Sequence, residues 1–415
     1  MLSATATLGF AMPVLGAERW RLPQEVKMIA QMGDNRTALA LLLKELDACE
    51  AGAGTADRCL DLLVTAATLA QRTRDAETAE AMARRAAVLA DRTLAETSPD
   101  RALAHRLLGS VLTSPDAALA EYRIALNLYS ANDNPAADNV LADMLRLLDR
   151  EGRYAEGEAL HRRIVDTAIA KNGPDHPDVA AALTNLAINL SAQRREDAAH
   201  PLLVRALAIY EQRLPPGHPY IALLLTNVGA SLVAMDRANE AVPLLERALA
   251  LREKTLAPGH PDLAVSLNAL ASAWLKLGEL KQAETLQRRA LELRRASLPE
   301  GSPGIARGLI NLAFTLKQQG RFAEAEPLYR EARGIVAATH APDHPMRINA
   351  DWSLAEILLS GGADLAESRS YFRAAARGAL ARIGSYRDFD TGATRELATW
   401  RNIFAGQARI AWALR

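Results

Sequence analysis

The fold is decided by the stretch HPYIALLLTNVGASLVAMDRANEAVPLLERALALREKTLAPG, residues 218–259, because most of its pattern returns along the chain at one fixed interval. Four His–Pro dipeptides and one Ser–Pro dipeptide follow each other at steps of 42 residues, and they begin at His176, His218, His260, Ser302 and His344. A constant step of this length indicates stacked structural repeats. The 415 residues are therefore predicted to form a repeat array rather than the separate globular domains that length alone suggests.

Each unit contains two apolar patterns with the period of an α-helix, separated by a short polar break. In the unit that begins at Ser302, the first helix is predicted to run from Pro303 to about Gln319, and Gly320 ends it. Small residues such as Ala325 recur in the second helices, where they allow two helix axes to approach closely. One such pair cannot bury its own apolar side, so neighbouring pairs must stack.

The recurring dipeptide is interpreted as the start of a helix. Proline fits the first helical turn, where its missing N–H is not needed, and it keeps the preceding residue extended. The histidines are therefore predicted at or near the N-caps. Metal binding is the alternative, but ligands must converge on one ion at about 2 Å, whereas equivalent atoms of neighbouring repeats lie roughly 10–20 Å apart. We expect no metal site.

Residues of the sizes that one known family requires occur in the same unit: Leu312, Ala313, Leu316, Gly320, Phe322, Ala325, Tyr329 and Ala332. Through them the chain resembles tetratricopeptide repeats of the 42-residue, kinesin-light-chain-like type. The resemblance is strong over residues 174–340 and looser over residues 57–171. It implies an all-α, right-handed α-solenoid of about eight stacked helix-turn-helix repeats, closed by a C-terminal capping helix.

The expected organisation has four parts. Residues 1–17 are a secretion signal or a disordered segment, residues 18–172 form divergent helix pairs, and residues 173–384 form the 42-residue array. Residues 385–415 form the capping helix, whose apolar residues are Trp400, Ile403, Phe404 and Trp412. The last unit degenerates after Gly361 and carries Glu367 where alanine is expected.

In the family, the first helices line a concave groove that binds an extended peptide or a partner helix. The resemblance therefore places these candidate ligand-binding residues on the groove: Asn185, Asn227, Asn268, Asn311, Thr184, Thr226, Arg307, Lys317 and Asn349, with Lys276 at its edge. A row of side-chain amides offers donors and acceptors that can hold a peptide backbone whatever its sequence. Alternatively, the amides bond to the adjacent repeat and fix the stacking.

A partner that presents only a C-terminal carboxylate is not expected. Family members that hold such a group use several Lys or Arg side chains, whereas this chain has Ala181, Leu223 and Val265 in the slots equivalent to Arg307. The sequence therefore favours a longer and more apolar partner.

The function expected from these features is that of a protein-interaction scaffold or adaptor. A self-assembling structural module, joined through the C-terminal helix, is the first alternative, and a cryptic hydrolase is a remote one. No phosphate-binding loop and no nucleophile elbow occur, so we predict no enzyme, no catalytic residues and no cofactor. Lys plus Arg and Asp plus Glu both number 49, which gives no charge that favours nucleic acid, and no run is long enough to span a membrane.

The two cysteines bear on the compartment. Cys49 and Cys59 flank a short loop between two helical patterns, which brings them close enough for a disulfide; the alternative is two buried thiols that never pair. Residues 1–17 have the apolar stretch and the small-residue end of a secretion signal, with a cut near Gly16 or Ala17, but they lack its basic start. We expect an exported, periplasmic protein, with the cytoplasm as the alternative.

Overall fold

The computed structural model describes residues 24–362, 364–384 and 391–413. In this part of the chain the secondary structure consists of nineteen α-helices and one short π-helical turn, with no strand. The chain divides into two compact units, Met1–Leu160 and His161–Arg415, which we call unit 1 and unit 2. The predicted signal segment, residues 1–17, lies outside the described residues. The all-α prediction is confirmed.

Unit 1 consists of short helices that pack in sequence order, α3 against α4 and α5 against α6. Its core contains Leu42, Leu63, Ala66 and Ala86, all of which are buried. Its helices are α1 (Gln24–Gln31), α2 (Asn35–Ala48), α3 (Ala56–Arg72), α4 (Ala76–Thr93), α5 (Pro99–Val111), α6 (Pro115–Ser130), α7 (Ala136–Arg150) and the first residues of α8 (Tyr154–Asn172).

The two cysteines of unit 1 are joined in the structure. A π-helical turn, Cys49–Ala53, follows α2 and contains Gly52 in a left-handed conformation at φ 98°. Cys49 and Cys59 form a disulfide with their Cα atoms 5.8 Å apart. Gly54 lies against this bond, and a Cβ at this position would collide with the Cys49 sulfur. The bond therefore ties the end of α2 to the first turn of α3.

Unit 2 begins with the rest of α8 and continues as an α-solenoid of five helix pairs and one further helix. The first helices are α9 (Pro177–Ala192), α11 (Pro219–Ala234), α13 (Pro261–Lys276), α15 (Pro303–Gln318) and α17 (Pro345–Ser360). The second helices are α10 (Glu196–Arg213), α12 (Ala238–Thr255), α14 (Leu280–Ser297), α16 (Phe322–Thr339) and α18 (Leu365–Gly384), and α19 (Thr391–Ala413) ends the unit. Every first helix begins at a proline, so the predicted step of 42 residues is confirmed.

The residue before each of these prolines caps its helix, as predicted. His176, His218, His260 and His344 each accept a hydrogen bond at Nδ1 from the backbone N–H two residues later, over 3.2–3.3 Å. In the one unit without histidine, the Ser302 hydroxyl accepts the same bond from Gly304. Each cap satisfies one of the N–H groups that a helix leaves free at its start.

Small and large side chains alternate in the contact between the two helices of each pair. In α12, Ala241, Leu245 and Ala248 are fully buried and face α11. Gly229 of α11 allows this approach, because a Cβ there would lie 2.6 Å from the Leu245 side chain. Burial of a leucine side chain stabilises such a contact by about 1.5–3 kcal/mol.

The fifth pair corrects one alignment made from the sequence. α18 begins 43 residues after α16, although α17 begins 42 residues after α15, so one residue is inserted in the turn after Gly361. The buried alanine slot is therefore filled by Ser368, which donates a hydrogen bond to the carbonyl of Ala355, and not by Glu367. Glu367 instead forms an ion pair with Arg330 at the surface.

The last helix covers the end of the stack. Trp400 and Ile403 of α19 are buried against Ile348, Ala375 and Ala379 of the fifth pair. The partly buried Phe404 packs against the same cluster. The side chain of Trp412 and residues 385–390 lie outside the described part of the chain. Trp400, Ile403 and Phe404 therefore pack within the chain, as the apolar residues of a capping helix do, whereas Leu397 of the same helix is 40% exposed.

Candidate functional site

One stripe of each first helix in unit 2 is turned away from the second helices. Its positions are spaced by four and three residues, which places them on one side of a helix. We call these stripes together the first-helix surface, and the side chains on it are exposed or half-buried. It consists of Ala181, Asn185, Ile188, Leu223, Asn227, Ala230, Val265, Ala269, Ser272, Arg307, Asn311, Phe314, Asn349, Ser353 and Glu356. First helices of successive pairs also touch, α11 with α13, as they do on the inner side of a curved stack.

A cavity of about 400 Å³ opens on this surface between α13, α15 and α17. It is lined by Ser272, Leu275, Gln287, Ile310, Asn311, Phe314, Lys317, Tyr329, Asn349, Trp352, Ser353 and Glu356. Three predicted ligand-binding residues therefore meet at one place, namely Asn311, Lys317 and Asn349. Three consecutive repeats are needed to form this cavity.

The cavity has an apolar centre. Phe314 is 44% exposed although it is a large apolar side chain, and Ile310 and Trp352 are half-buried. The indole Nε1 of Trp352 is covered and has no hydrogen-bond partner in the described structure. Burial also raises the pKa of the Tyr329 phenol, so this wall residue stays neutral.

The rim of the cavity carries charge that is partly compensated. Lys317 Nζ lies 3.6 Å from Glu356 Oε2, and Glu356 also pairs with Arg409 of α19. The Glu356 side chain is only 12% exposed, and these two cations are its ion-pair partners. Lys276, which was predicted at the groove edge, instead pairs with Asp236 over 2.7 Å. Ionic contacts are thus arranged beside an apolar centre.

The predicted amide row divides into free and bonded members. The amides of Asn185, Asn227 and Asn349 make no hydrogen bond within the described residues, and all three lie on the first-helix surface. By contrast, Asn311 Nδ2 donates to Asn268 Oδ1 over 3.1 Å, and Asn268 Nδ2 donates to the carbonyl of Ala264. Asn185, Asn227 and Asn349 are therefore available to a ligand, whereas Asn268 and Asn311 link two adjacent repeats.

The two threonines lie deeper than the amides. Thr184 and Thr226 are buried and donate their hydroxyl hydrogen bonds to the carbonyls four residues earlier in their own helices. Thr226 also accepts from Arg252 of the next helix. Neither hydroxyl lies on the first-helix surface: that of Thr184 bonds within α9, and that of Thr226 links α11 to α12.

The sequence contained one unused signal for the cavity. Phe314 occupies a slot that holds Ala230 and Ser272 in the two preceding units, and Trp352 occupies the slot of Thr184 and Thr226. Each slot carries an aromatic ring in one unit only: the other units hold Ile188, Ala230, Ser272 and Glu356 at the first slot, and Thr184, Thr226, Asn268 and Ile310 at the second. A single aromatic residue at such a slot marks a local feature of the surface. Which of them share a cavity depends on the spacing of three helices, which the sequence does not give.

Two features are absent from the part of the chain that the structure describes, namely a cluster of metal ligands and a helix that could span a membrane. Residues 24–362, 364–384 and 391–413 contain no group of three or more His, Cys, Asp or Glu side chains that could hold a metal ion. None of the helices found there combines the length and apolar character needed to cross a bilayer.

Comparison with known proteins places these repeats in a family. The model of the tetratricopeptide repeat matches residues 136–212, 220–296 and 304–381, together more than half of the chain. No curated protein sequence matches the chain. The three matched segments contain every residue of the cavity.

Several solved structures are similar. The kinesin light chain nearly identical TPR-like repeats of Podosopora anserina are 24% identical, with a TM-score of 0.43, and cover 51% of this chain and 99% of that one. BtubC (BKLC) from P. vanneervenii is 21% identical, with a TM-score of 0.48, over 56% and 95% of the two chains. The apo form of RapI is 15% identical, with a TM-score of 0.52, over 69% and 99%, and this likeness concerns the fold alone.

Proposed function

Because the chain belongs to the tetratricopeptide repeat family, we propose that unit 2 is a scaffold or adaptor that binds a segment of a partner protein on the first-helix surface. The observation that supports this most strongly is the cavity between α13, α15 and α17. Three successive repeats contribute to it, and it combines an apolar centre with a polar rim. Protein interfaces have this composition at the sites that dominate their affinity.

The cavity suits one large apolar side chain of the partner. A volume of about 400 Å³ is within the usual range of ligand pockets. Phe314 and Trp352 supply flat apolar faces, and the uncovered face of Phe314 is the surface that a partner would bury. The bound segment would therefore insert an aromatic or long aliphatic residue here.

The free amides would hold the rest of the segment. Asn185, Asn227 and Asn349 each have unused donors and acceptors, and they lie on three different first helices. An amide can donate to a peptide carbonyl and accept from a peptide N–H at the same time. Apolar neighbours such as Leu223 and Val265 would add contacts with side chains.

The self-assembling module receives less support. Its contact was expected to come from Trp400, Phe404 and Trp412 of α19, but Trp400 is buried and Phe404 partly buried within the chain. A catalytic role is not part of the proposal.

The test is a selection of short peptides from a random display library on the full chain. We expect enrichment of peptides with one large apolar residue, and binding that falls about thirtyfold in a Phe314→Ala variant, as truncation at such sites costs about 2 kcal/mol or more. Val204→Ala is the matched control, because Val204 is equally exposed but lies on the second helix α10. Failure to enrich any peptide, or equal losses in both variants, would contradict the proposal.

An oxidising compartment is the location that fits the disulfide. Cytoplasmic reductants keep most thiols reduced, whereas a pair such as Cys49 and Cys59 persists outside the cytoplasm. Trapping of free thiols in freshly lysed native cells tests this. Modification of both cysteines without prior reduction would place the protein in a reducing compartment.

A further inference from the structure

Exposed ion pairs join successive second helices of unit 2. Glu253 of α12 pairs with Arg289 of α14 over 2.7 Å. Arg295 of α14 occupies the slot of Glu253, and it pairs with Glu331 of α16 over the same distance. The charges are exchanged between these two contacts, but in both the slot faces the second helix of the following pair.

A second slot, seven residues earlier in each second helix, faces the same way. Arg288 of α14 lies 4.0 Å from Glu324 of α16, and Arg330 of α16 pairs with Glu367 of α18 over 2.7 Å. In both contacts the cation belongs to one second helix and the glutamate to the next. Seven residues are about two helical turns, so the two slots lie on one side of the helix.

In α18 these slots face a place that no second helix of the described chain occupies. After the one-residue insertion behind Gly361, the two slots are filled by Arg373 and Leu380, and Arg377 lies between them on the same side. We call these three residues the α18 edge. Arg373 and Arg377 are exposed and form no ion pair or hydrogen bond within the described residues, and Leu380 is 56% exposed.

The helix α19 covers only part of this end of unit 2. Its Trp400 and Ile403 pack against α17 and α18, so α19 lies where the first helix of a sixth pair would lie. Leu397 of α19 is 40% exposed. Leu380 stands four residues before the end of α18 and Leu397 six residues after the start of α19, so each helix leaves one large apolar side chain exposed near their connection.

We propose that the α18 edge binds an acidic amphipathic α-helix of a partner protein, stacked on α18 as α18 is stacked on α16. The chain itself shows the complementary group, because Arg330, in the slot of Arg373, is paired with a glutamate. A second copy of the chain fits less well, since a twofold contact at this edge would bring the arginines of two copies together. The site is separate from the first-helix surface, and its partner is a different protein from the one proposed to bind there.

The stacking of the second helices predicts the residue pattern of the partner helix. The two contacts of α14 described above are seven residues apart, and they meet Glu324 and Glu331 of α16, which are also seven residues apart. A helix stacked in this way on the α18 edge would carry a glutamate opposite Arg373 and a large apolar residue seven positions later, opposite Leu380. A second glutamate, four positions after the first, would face Arg377. These three positions lie on one side of a helix.

The test uses a synthetic peptide held helical by a side-chain cross-link, with glutamate at positions i and i+4 and leucine at i+7. A scrambled peptide of the same composition and cross-link is its control. We expect the ordered peptide to bind the full chain at least about fivefold more tightly than the scrambled one, since two exposed ion pairs act together with one apolar contact. Fluorescence anisotropy of the labelled peptides measures both affinities.

Exchange of the charges tests the α18 edge itself. In an Arg373→Glu, Arg377→Glu double variant, the glutamate peptide should lose its affinity, and a peptide with lysine at both acidic positions should gain it. Leu380→Ser should weaken binding of the glutamate peptide to the unmodified charges. Arg163→Glu is the matched control, because Arg163 is an exposed arginine of α8 that has no ion pair within the described residues. This control should change neither peptide's affinity.

Several outcomes would overturn the proposal. Equal binding of the ordered and scrambled peptides would show only a general attraction of charges, and no binding of the ordered peptide would exclude the site. A chain that sediments as a dimer, and as a monomer after Leu380→Ser, would make a second copy the occupant. Phe314→Ala should leave the helical peptide bound, whereas loss of binding in that variant would assign the peptide to the first-helix surface. The residues of the α18 edge are exposed, so their variants should keep the circular-dichroism spectrum of the unmodified chain.

Discussion

At the scale of single residues, the His–Pro dipeptide is explained by backbone chemistry. The histidine accepts a hydrogen bond at Nδ1, which requires a neutral ring with its proton on Nε2. Protonation therefore removes the cap and also places a positive charge at the start of a helix, where it is unfavourable. A serine at the same slot, Ser302, forms the equivalent cap without titrating.

His344 provides the clearest test of this role. Burial lowers its pKa, the charges of His340 and Arg382 lower it further, and Asp343 opposes them. A histidine whose pKa is lower in the folded than in the unfolded state contributes stability above its unfolded-state pKa of about 6.5. That contribution is lost as the pH falls from this value through the folded-state pKa. We predict that His344→Ser loses less thermal stability than the unmodified protein between about pH 7.5 and about pH 5.5.

A second variant controls for the cap itself. At the higher pH, His344→Ser should match the unmodified protein, whereas His344→Ala should be less stable by about 1 kcal/mol because the cap is lost. Thermal midpoints followed by circular dichroism measure both effects. The same pH dependence in the serine variant and the unmodified protein would argue against titration of this cap.

Gly308 lies beside Arg294 Nη1, a covered nitrogen that has no hydrogen-bond partner within the described residues. Gly308→Ser would restore the acceptor that Ser266 provides to Arg252, while Gly308→Ala adds the same Cβ without the hydroxyl. We predict that the serine variant is more stable than the alanine variant by about 1–2 kcal/mol, since the new bond satisfies a charged group. Chemical denaturation of the two variants measures the difference. An alanine variant that equals or exceeds the serine variant would show that Arg294 Nη1 needs no partner.

At the scale of helices, most of unit 2 could be predicted from the sequence. Proline, histidine and the small residues recur at one step, so each first helix could be placed to within a residue. The inserted residue after Gly361 could not be predicted from the sequence. Either Glu367 or Ser368 could have filled the buried position, and only the start of α18 in the structure shows that Ser368 does. Similarly, the bond between Asn268 and Asn311 depends on the distance between two helices rather than on either helix.

The disulfide stabilises α2 and α3, so reduction is expected to act on these two helices. Cross-linking residues about ten positions apart restricts the unfolded chain and is worth roughly 2–3 kcal/mol. We predict that a reducing agent increases hydrogen exchange in α2 and α3, with little change in α9 and α10. A Cys49→Ala, Cys59→Ala double variant should not respond to the reductant. An equal response of the double variant would show that the reductant acts elsewhere.

At the scale of the whole molecule, the division of the asparagines into two sets predicts two separate effects. Replacing Asn185, Asn227 and Asn349 by Ala should weaken binding of a selected peptide and leave the thermal midpoint nearly unchanged, because these amides are free. Replacing Asn311 by Ala should lower the midpoint, because it leaves Asn268 without its donor. Calorimetry of binding and of unfolding separates the two. A steep fall in the midpoint of the triple variant would assign those amides to the stacking instead.

The sequence predicts some residues of this surface but not its cavity. It indicates Asn311, Lys317 and Asn349 as candidates, and all three line one cavity. It does not indicate Phe314 and Trp352, because a large apolar residue in a helix is ordinarily a core residue. Only the exposure of Phe314, which follows from the packing of α15 against its neighbours, distinguishes it from a core residue.

The central claim is that partners bind on the first helices of unit 2. Photo-crosslinking in native cells tests it most directly, with the reactive residue placed at Ile188 or Phe314 on first helices, or at Val204 or Leu380 on second helices; all four positions are at least 40% exposed. We predict that one partner protein is captured from Ile188 and Phe314 and not from Val204 and Leu380. Capture of that protein only from Val204 and Leu380 would contradict the account.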